Sequence, residues 1–281
     1  MPNPPPPIIT LTTDFGTADH FAGVMKGVIA RFAPRARVVD ITHEISPYEI
    51  IEAAFVISES WRYFPKGTIH VVVVDPGVGS ARRPILVEAA GHFFVAPDNG
   101  ILSLIYDAPR GGLPALKPRP VRAGMLVSVR VITNPKLMAR DVSRTFHGRD
   151  IFAPAAAHLA RGVPPARFGK PILDYVRIAD TKPSKLSPNC WRGTIFRADR
   201  FGNLITNFHL DDFARVTAGP FELRVGAERI LRLALTFSEA AIGELVAVFG
   251  SSDYLEIVAN QASAAQILGC GARSPVELEI F

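Results

Sequence analysis

The stretch Ile69-His70-Val71-Val72-Val73-Val74, followed at once by Asp75-Pro76-Gly77-Val78-Gly79, decides how this sequence is read. A nearly continuous apolar run of this kind suits a strand covered on both faces, the usual condition of a parallel sheet. The flanking segments agree. Upstream, Ile8 to Thr12 is a short β-branched run. Phe21, Val24, Met25, Val28, Ile29 and Phe32 then recur with helical spacing, with Asp19 as the expected N-cap and Pro34 as the stop. Val38 to Ile41 reads as a strand, and Ile50, Ala53, Ala54, Ile57 and Trp61 form a second helical stripe. Strand, helix, strand, helix, strand is the α/β pattern. Downstream, Pro84 to Ala89 and Phe93 to Ala96, split by a glycine, read as a hairpin. Asp150 to Arg161 predicts a further helix, with Pro154 in its first turn, where proline is tolerated.

The polar segment 180–188 (DTKPSKLSP) carries two prolines and reads as a linker between a domain over 8–179 and another over 189–281. Past it helical stripes become scarce. Gly193 to Arg197, Leu204 to Asn207, Phe221 to Val225, Ile230 to Leu235, Leu245 to Phe249, Tyr254 to Val258 and Val276 to Phe281 read as short strands. The fold class expected is an α/β N-terminal domain with a mainly parallel sheet, plus a C-terminal all-β, barrel-like domain.

Composition narrows the function classes. Of 281 residues, 48% are hydrophobic and 20% charged, which supplies a large core and argues against disorder. The net charge of +5 is scattered, unlike the concentrated stripe of a nucleic-acid binder. No apolar run is long enough for a membrane span. Cys190 and Cys270 lack metal or redox spacing, so free thiols in a cytoplasmic protein are expected. The proline-rich stretch Met1 to Pro7 lacks the features of a signal peptide and reads as an extended lead-in.

In open α/β sheets, ligands bind beyond the carboxyl ends of strands. Four segments fall there: Thr13-Asp14-Phe15-Gly16, Thr42-His43, Asp75-Pro76-Gly77-Val78-Gly79 and Pro97-Asp98-Asn99-Gly100. Three carry an acid beside a glycine. Such a carboxylate can accept from a ribose diol, or hold and deprotonate a water; each is also ordinary turn chemistry. Asp14-Phe15-Gly16 spells a kinase triplet but stands at the wrong end of the chain. Gly77-Val78-Gly79-Ser80-Ala81-Arg82 matches a dinucleotide fingerprint only in part. No spacing argues for metal. His147, in Thr145-Phe146-His147-Gly148-Arg149-Asp150, precedes a predicted helix and suits either a cap or a group that orients water. Asp199-Arg200-Phe201-Gly202-Asn203 suits an amino-acid head group, a ribose or a tight hairpin.

The stretches LTTDFGTADHFAGVMKGVI, VVDITHEISPYEIIEAAF, FPKGTIHVVVVDPGVGSARRPI, FVAPDNGIL, TFHGRDIFAPAAAHLARG, ADRFGNLITN and FGSSDYLEIVANQASAAQILG run in order from Leu11 to Gly269. In them the chain resembles the S-adenosyl-L-methionine hydroxide adenosyltransferases, relatives of the fluorinases and chlorinases. The resemblance implies hydrolysis of S-adenosyl-L-methionine to adenosine and L-methionine, without cofactor or metal. It implies a homotrimer, with substrate held between the N-terminal domain of one subunit and the C-terminal domain of its neighbour. Asp75, Arg82 and His147 would surround the attacking water, with Arg83 as the other candidate arginine. Asp14 would accept from the ribose, and Tyr48 and Phe146 would pack on the adenosyl group. Asp199, Phe201 and Asn203 would hold the methionine portion, Ser251 its carboxylate, and Asn260 would lie near the adenine. In the halogenating relatives an uncharged residue replaces Asp75 and a tyrosine replaces His147. A fixed negative charge repels halide, so the sequence favours water. A halogenase and a non-catalytic binding module are the alternatives.

Overall fold

In the computed structural model, residues 5–107 and 127–281 are described; the first four residues of the expected lead-in lie outside that range. The chain forms two compact units, Met1–Ile178 and Ala179–Phe281.

The first unit contains, in order, β1 (Ile8–Thr13), α1 (Phe21–Phe32), β2 (Arg37–Thr42), α2 (Ile50–Ser60), β3 (Ile69–Val73), β4 (Pro84–Ala89), β5 (His92–Pro97), α3 (Ser103–Tyr106), β6 (Val127–Val131), α4 (Ala153–Ala160) and β7 (Pro171–Ile172). They build one sheet in the order β2-β1-β3-β5-β4-β6-β7. Strands β2, β1, β3 and β5 run parallel. Strand β4 is antiparallel to β5 and β6, and β6 to β7. Every residue of β3 is buried, as its apolar run requires. Alternation divides its side chains between two layers. Ile69, Val71 and Val73 join Ile9, Leu11, Met25, Ile29 and Phe152 in the core under α1 and α4. His70 lies on the other face, stacked 5.0 Å from Phe94, whose ring is 6.1 Å from Trp61.

Two expectations need correction here. Asp19 does not cap α1. The cap position is His20, which makes no side-chain cap bond, and its ring packs 4.6 Å from Phe21. The helix expected from Asp150 starts instead as a π-helical turn, Gly148–Phe152, before α4, whose first turn holds Pro154.

The second unit contains β8 (Ser184–Ser187), β9 (Cys190–Ala198), β10 (Leu204–His209), α5 (Leu210–Phe213), β11 (Phe221–Val225), β12 (Glu228–Ile230), β13 (Leu245–Phe249), β14 (Tyr254–Ala259), α6 (Ala264–Leu268) and β15 (Pro275–Ile280). The order is β12-β11-β15-β9-β10-β14-β13, with β8 on β9, and the pairing is antiparallel throughout. The sheet nearly closes on itself. Beyond β12, Arg232 accepts from the Ala247 N–H at 2.9 Å, and Ala234 donates to the Ala247 carbonyl at 2.9 Å. Closure of this kind removes exposed edges. The stretch read as a linker therefore contains a paired strand, β8. The run Ile230 to Leu235 leaves regular strand geometry after Ile230, because Leu231 and Leu235 face outward while only Ile230, Leu233 and Ala234 pack inward.

His70 carries a consequence for stability. It is fully buried, and Thr10 Oγ1 and His92 Nδ1 lie 2.8 and 3.2 Å from its two ring nitrogens. Burial, with the charge of a protonated His92, pushes its pKa down to about 3. The folded state therefore holds it neutral. The unfolded chain takes up a proton below about pH 6.5, so stability is fully present above that pH and falls as the pH drops toward 3. We expect the wild-type urea midpoint to fall more steeply from pH 6.5 to 4 than that of His70→Gln. Parallel slopes in the two proteins would show that His70 is not the source.

Candidate active site

At the carboxyl edge of the parallel strands, the loop after β1 is tied to that after β2, and the loop after β5 to that after β3. Beyond β1, the Gly16 N–H donates to the His43 carbonyl at 2.7 Å, and Thr13 Oγ1 lies 2.8 Å from His43 Nδ1. Beyond β5, Asn99 Nδ2 donates to the Val74 carbonyl at 2.9 Å, fixing the start of the Asp75 loop. Gly79 in that loop has φ +77°, and a Cβ there would collide with the Arg144 carbonyl oxygen. Only glycine lets the loop after β3 and the loop before the π-helical turn meet backbone to backbone.

That contact brings Asp75, Arg82 and His147 together. Arg82 Nε donates to Asp75 Oδ1 at 3.1 Å, and Arg82 Nη2 donates to Asp75 Oδ2. The pair is almost dry, with side chains 5% and 7% exposed. Arg82 Nη2 also lies 2.9 Å from His147 Nδ1. A guanidinium can only donate, so Nδ1 accepts and a neutral His147 carries its proton on Nε2. His147 stands at the head of the π-helical turn and makes no side-chain cap bond. Arg82 Nη1 is buried and has no acceptor among the described residues, and the guanidinium carbon lies 5.4 Å from the Phe152 ring centroid.

Electrostatics follow from this packing. Burial pushes the Asp75 carboxyl above the ordinary range, while the charge and hydrogen bonds of Arg82 pull it back. Burial holds His147 below the usual imidazole range, Arg82 adding to the effect against the pull of Asp75. A carboxylate in this setting is a better proton acceptor than one in water, and it is oriented by two donors. Asp14 is also pushed up, chiefly by burial, with a contribution from Asp75.

Asp14 Oδ2 accepts from the Tyr48 N–H at 3.0 Å. Tyr48 has φ +70°, an uncommon conformation for a residue with a side chain, and its ring is 67% exposed. Phe146 is placed differently from Tyr48. Its ring is buried, 6.0 Å from Phe15 and 5.1 Å from Phe21. Arg83 takes no part in the cluster of Arg82. It pairs with Asp98 at 2.6 Å and Asp174 at 3.0 Å, and Asp98 also accepts from the Val176 N–H. Asp98, a strand-end acid like Asp75, is thus committed to holding the chain.

The second unit has a cavity of about 840 Å³ lined by Asp199, Phe201, Asn203, Ser251, Glu256 and Gln261, among others. The hairpin between β9 and β10 sets the first three. Asp199 Oδ1 accepts from the Phe201 and Asn203 N–H groups at 2.8 and 2.9 Å, and Oδ2 accepts from Asn203 Nδ2 at 2.9 Å. The segment is thus a tight hairpin, and three of its residues line the cavity. Phe201 is 79% exposed. Asn260 is turned to other work, donating from Nδ2 to the Ala240 carbonyl at 2.7 Å. The residue that sequence reasoning passed over is Glu256. Its signal was one acid inside the strand Tyr254–Ala259, flanked by Leu255 and Ile257. Burial, reinforced by Asp199, pushes it up to about 7.

Sequence comparison places these features in a wider group. The model of the SAM hydroxide adenosyltransferase N-terminal domain matches residues 9–169, and that of the C-terminal domain matches residues 193–277. An (R)-S-adenosyl-L-methionine hydrolase of Thermus thermophilus is 38% identical over 95% of this chain and 97% of its own. A fluorinase of Actinoplanes is 29% identical over 94% of this chain and 95% of its own. An uncharacterized conserved protein from Thermotoga maritima, of solved structure, superposes with a TM-score of 0.82 at 34% identity, covering 96% of this chain and 99% of the other.

The charge balance around Arg82 can be tested directly. Arg82→Gln removes the cation that lowers both of its neighbours. The Asp75 carboxyl and the His147 imidazole should then both titrate at higher pH than in wild type, followed by carbon-13 and nitrogen-15 NMR. Unmoved titrations would mean that Arg82 does not set these groups.

Proposed function

Since this chain belongs to the SAM hydroxide adenosyltransferase family, we propose that it hydrolyses S-adenosyl-L-methionine to adenosine and L-methionine. The observation that carries this reading is the dry Asp75–Arg82 pair with His147 on the same guanidinium. Water attacks the ribose C5′ in line with the C5′–S bond. The new C5′–O bond forms as the C5′–S bond breaks, and the bonding pair goes to sulfur. The leaving group is a neutral thioether, so no general acid is required. The proton lost by water passes to Asp75 and then to solvent. No cofactor enters this scheme, and among the described residues no three His, Cys, Asp or Glu side chains gather as a metal site would need.

Arg82 serves two ends. Two of its nitrogens hold Asp75 in place, and its positive charge stabilises the negative charge that develops on the attacking oxygen. His147 directs that water with its remaining ring nitrogen. Alignment alone supplies about 7–11 kcal/mol in favourable cases, so holding water on axis is worth as much as its deprotonation. A halide in place of water would sit against the Asp75 carboxylate, and Coulomb repulsion in so dry a site disfavours it.

In the same reading Asp14 accepts from the ribose hydroxyls and Tyr48 covers the adenosyl group. Phe146 supports that region from beneath. Asp199 takes the α-ammonium, Phe201 and Asn203 flank the methionine chain, Ser251 serves its carboxylate, and Asn260 lies toward the adenine. The relative from Thermus thermophilus is named for the (R) configuration at sulfur, and we take the same epimer as substrate. A cytoplasmic homotrimer fits the family resemblance and the two free cysteines; no described helix is long and apolar enough to cross a membrane.

In water enriched in oxygen-18, mass spectrometry should find the label in the 5′-hydroxyl of adenosine, and added chloride should give no chlorinated nucleoside. Unlabelled adenosine would exclude direct attack by water. Asp75→Ala should lower kcat by about 10²–10⁴-fold, and the (R) epimer should be consumed ahead of the (S). Light scattering should return three times the chain mass; a monomer would end the trimer reading.

A further inference from the structure

We propose that Glu256 is a second carboxylate for the substrate's α-ammonium, acting with Asp199 on the wall of the cavity in the second unit. This assignment rests on the hydrolase reading above, since that reading supplies an amino-acid portion to be bound.

The argument begins with the strand that carries Glu256. Alternate residues Leu255 and Ile257 of β14 are fully buried in the barrel core. Glu256 therefore points to the other face, in register with Val248 on β13 and Ile205 on β10. Both neighbours are buried and apolar. Its carboxyl group is laid against Gly250, where a Cβ would collide with Glu256 Oε1. The side chain is thus seated in a fitted place, flanked by aliphatic groups, on the wall of the cavity. No donor among the described residues reaches its oxygens. Among the described residues, Asp199 is the one charged group that acts on it. An acid so placed is costly to keep, which makes a ligand role more economical than a structural one.

Hydrogen-bond capacity gives the second line. An ammonium has three donors, and a carboxylate offers about four acceptor sites. Asp199 already accepts three hydrogen bonds from its own hairpin. Those bonds fix its position and leave it about one acceptor site to offer. Glu256 has both oxygens free. The two acids together therefore match the ammonium, while Asp199 alone does not.

The sign of the pH dependence follows. With its pKa near 7, Glu256 is largely protonated at pH 6 and largely ionised at pH 8. An ammonium prefers the ionised form, so binding weakens as the pH falls through 7. Asp14 and His147 titrate in the other unit, which makes a control ligand necessary.

Calorimetry with S-adenosyl-L-homocysteine and with its desamino analogue supplies that control. The first keeps the ammonium and lacks the sulfonium; the second lacks both. Wild type should bind the first about tenfold more weakly at pH 6 than at pH 8, because a group of pKa about 7 is roughly one-tenth ionised at the lower value. The desamino ligand should show no such change. Glu256→Gln should bind the ammonium ligand about tenfold more weakly than wild type at pH 8, with no dependence between the two pH values. With S-adenosyl-L-methionine it should raise KM and leave kcat within about twofold. Gly250→Ala, which displaces the carboxyl group, should reproduce the loss at an unchanged melting temperature. Wild-type affinity in Glu256→Gln at pH 8, equal pH dependence for both ligands, or no binding of the ammonium ligand by wild type would overturn the assignment. Methionine release by wild type is scored separately and decides the hydrolase reading itself.

Discussion

Much of the first unit is organised around one ion pair, Arg82 with Asp75. Both partners come from the same short loop, seven residues apart, and both are nearly excluded from water. Removing one member of such a buried pair typically costs about 3–5 kcal/mol, because the other charge is left without compensation. The pair therefore holds the loop shape as well as the charge. Its geometry propagates outward through Arg82 to His147 and through the guanidinium face to Phe152. The electrostatic state of each neighbour follows from the same cation. Arg82 restrains the upward push of burial on Asp75 and adds to its downward push on His147.

The second unit solves a different problem with similar means. Asp199 accepts three hydrogen bonds from its own hairpin and so is held still. Glu256 is left unsatisfied on the neighbouring strand and so is poised to change state. One acid is fixed and one is responsive, and their environments set the difference. Hydrogen bonds to the charged form stabilise it, and apolar burial penalises it.

How far the sequence was legible depended on the range over which its signals act. The β3 run could be assigned because burial on both faces writes itself into every consecutive residue. The clustering of acids beyond the strands followed from topology. The choice between Asp75 and Asp98 could not be made that way, since both are acids beside glycine at strand ends. Their difference lies in which arginine reaches each, Arg82 or Arg83, and that is decided by a single step along the chain. The short helix α6 had a readable start: Ser263 accepts from the Gln266 N–H at 3.1 Å, a serine with glutamine three residues later. Here the signal was present and overlooked. The π-helical turn had no comparable mark in the sequence. Glu256 was hidden for another reason: one acid in a strand says nothing about Gly250, which is distant in space until the hairpin of β13 and β14 forms.

The contact of Gly79 with the Arg144 carbonyl has a consequence for how this scaffold changes over time. The distance between the two loops is set by main chain on main chain, with no side chain as spacer. Changing a side chain that these loops carry, such as His147, therefore leaves that main-chain spacing in place. A scaffold of this design separates main-chain spacing from the side chains it displays. It allows those side chains to vary over time against an unmoved background.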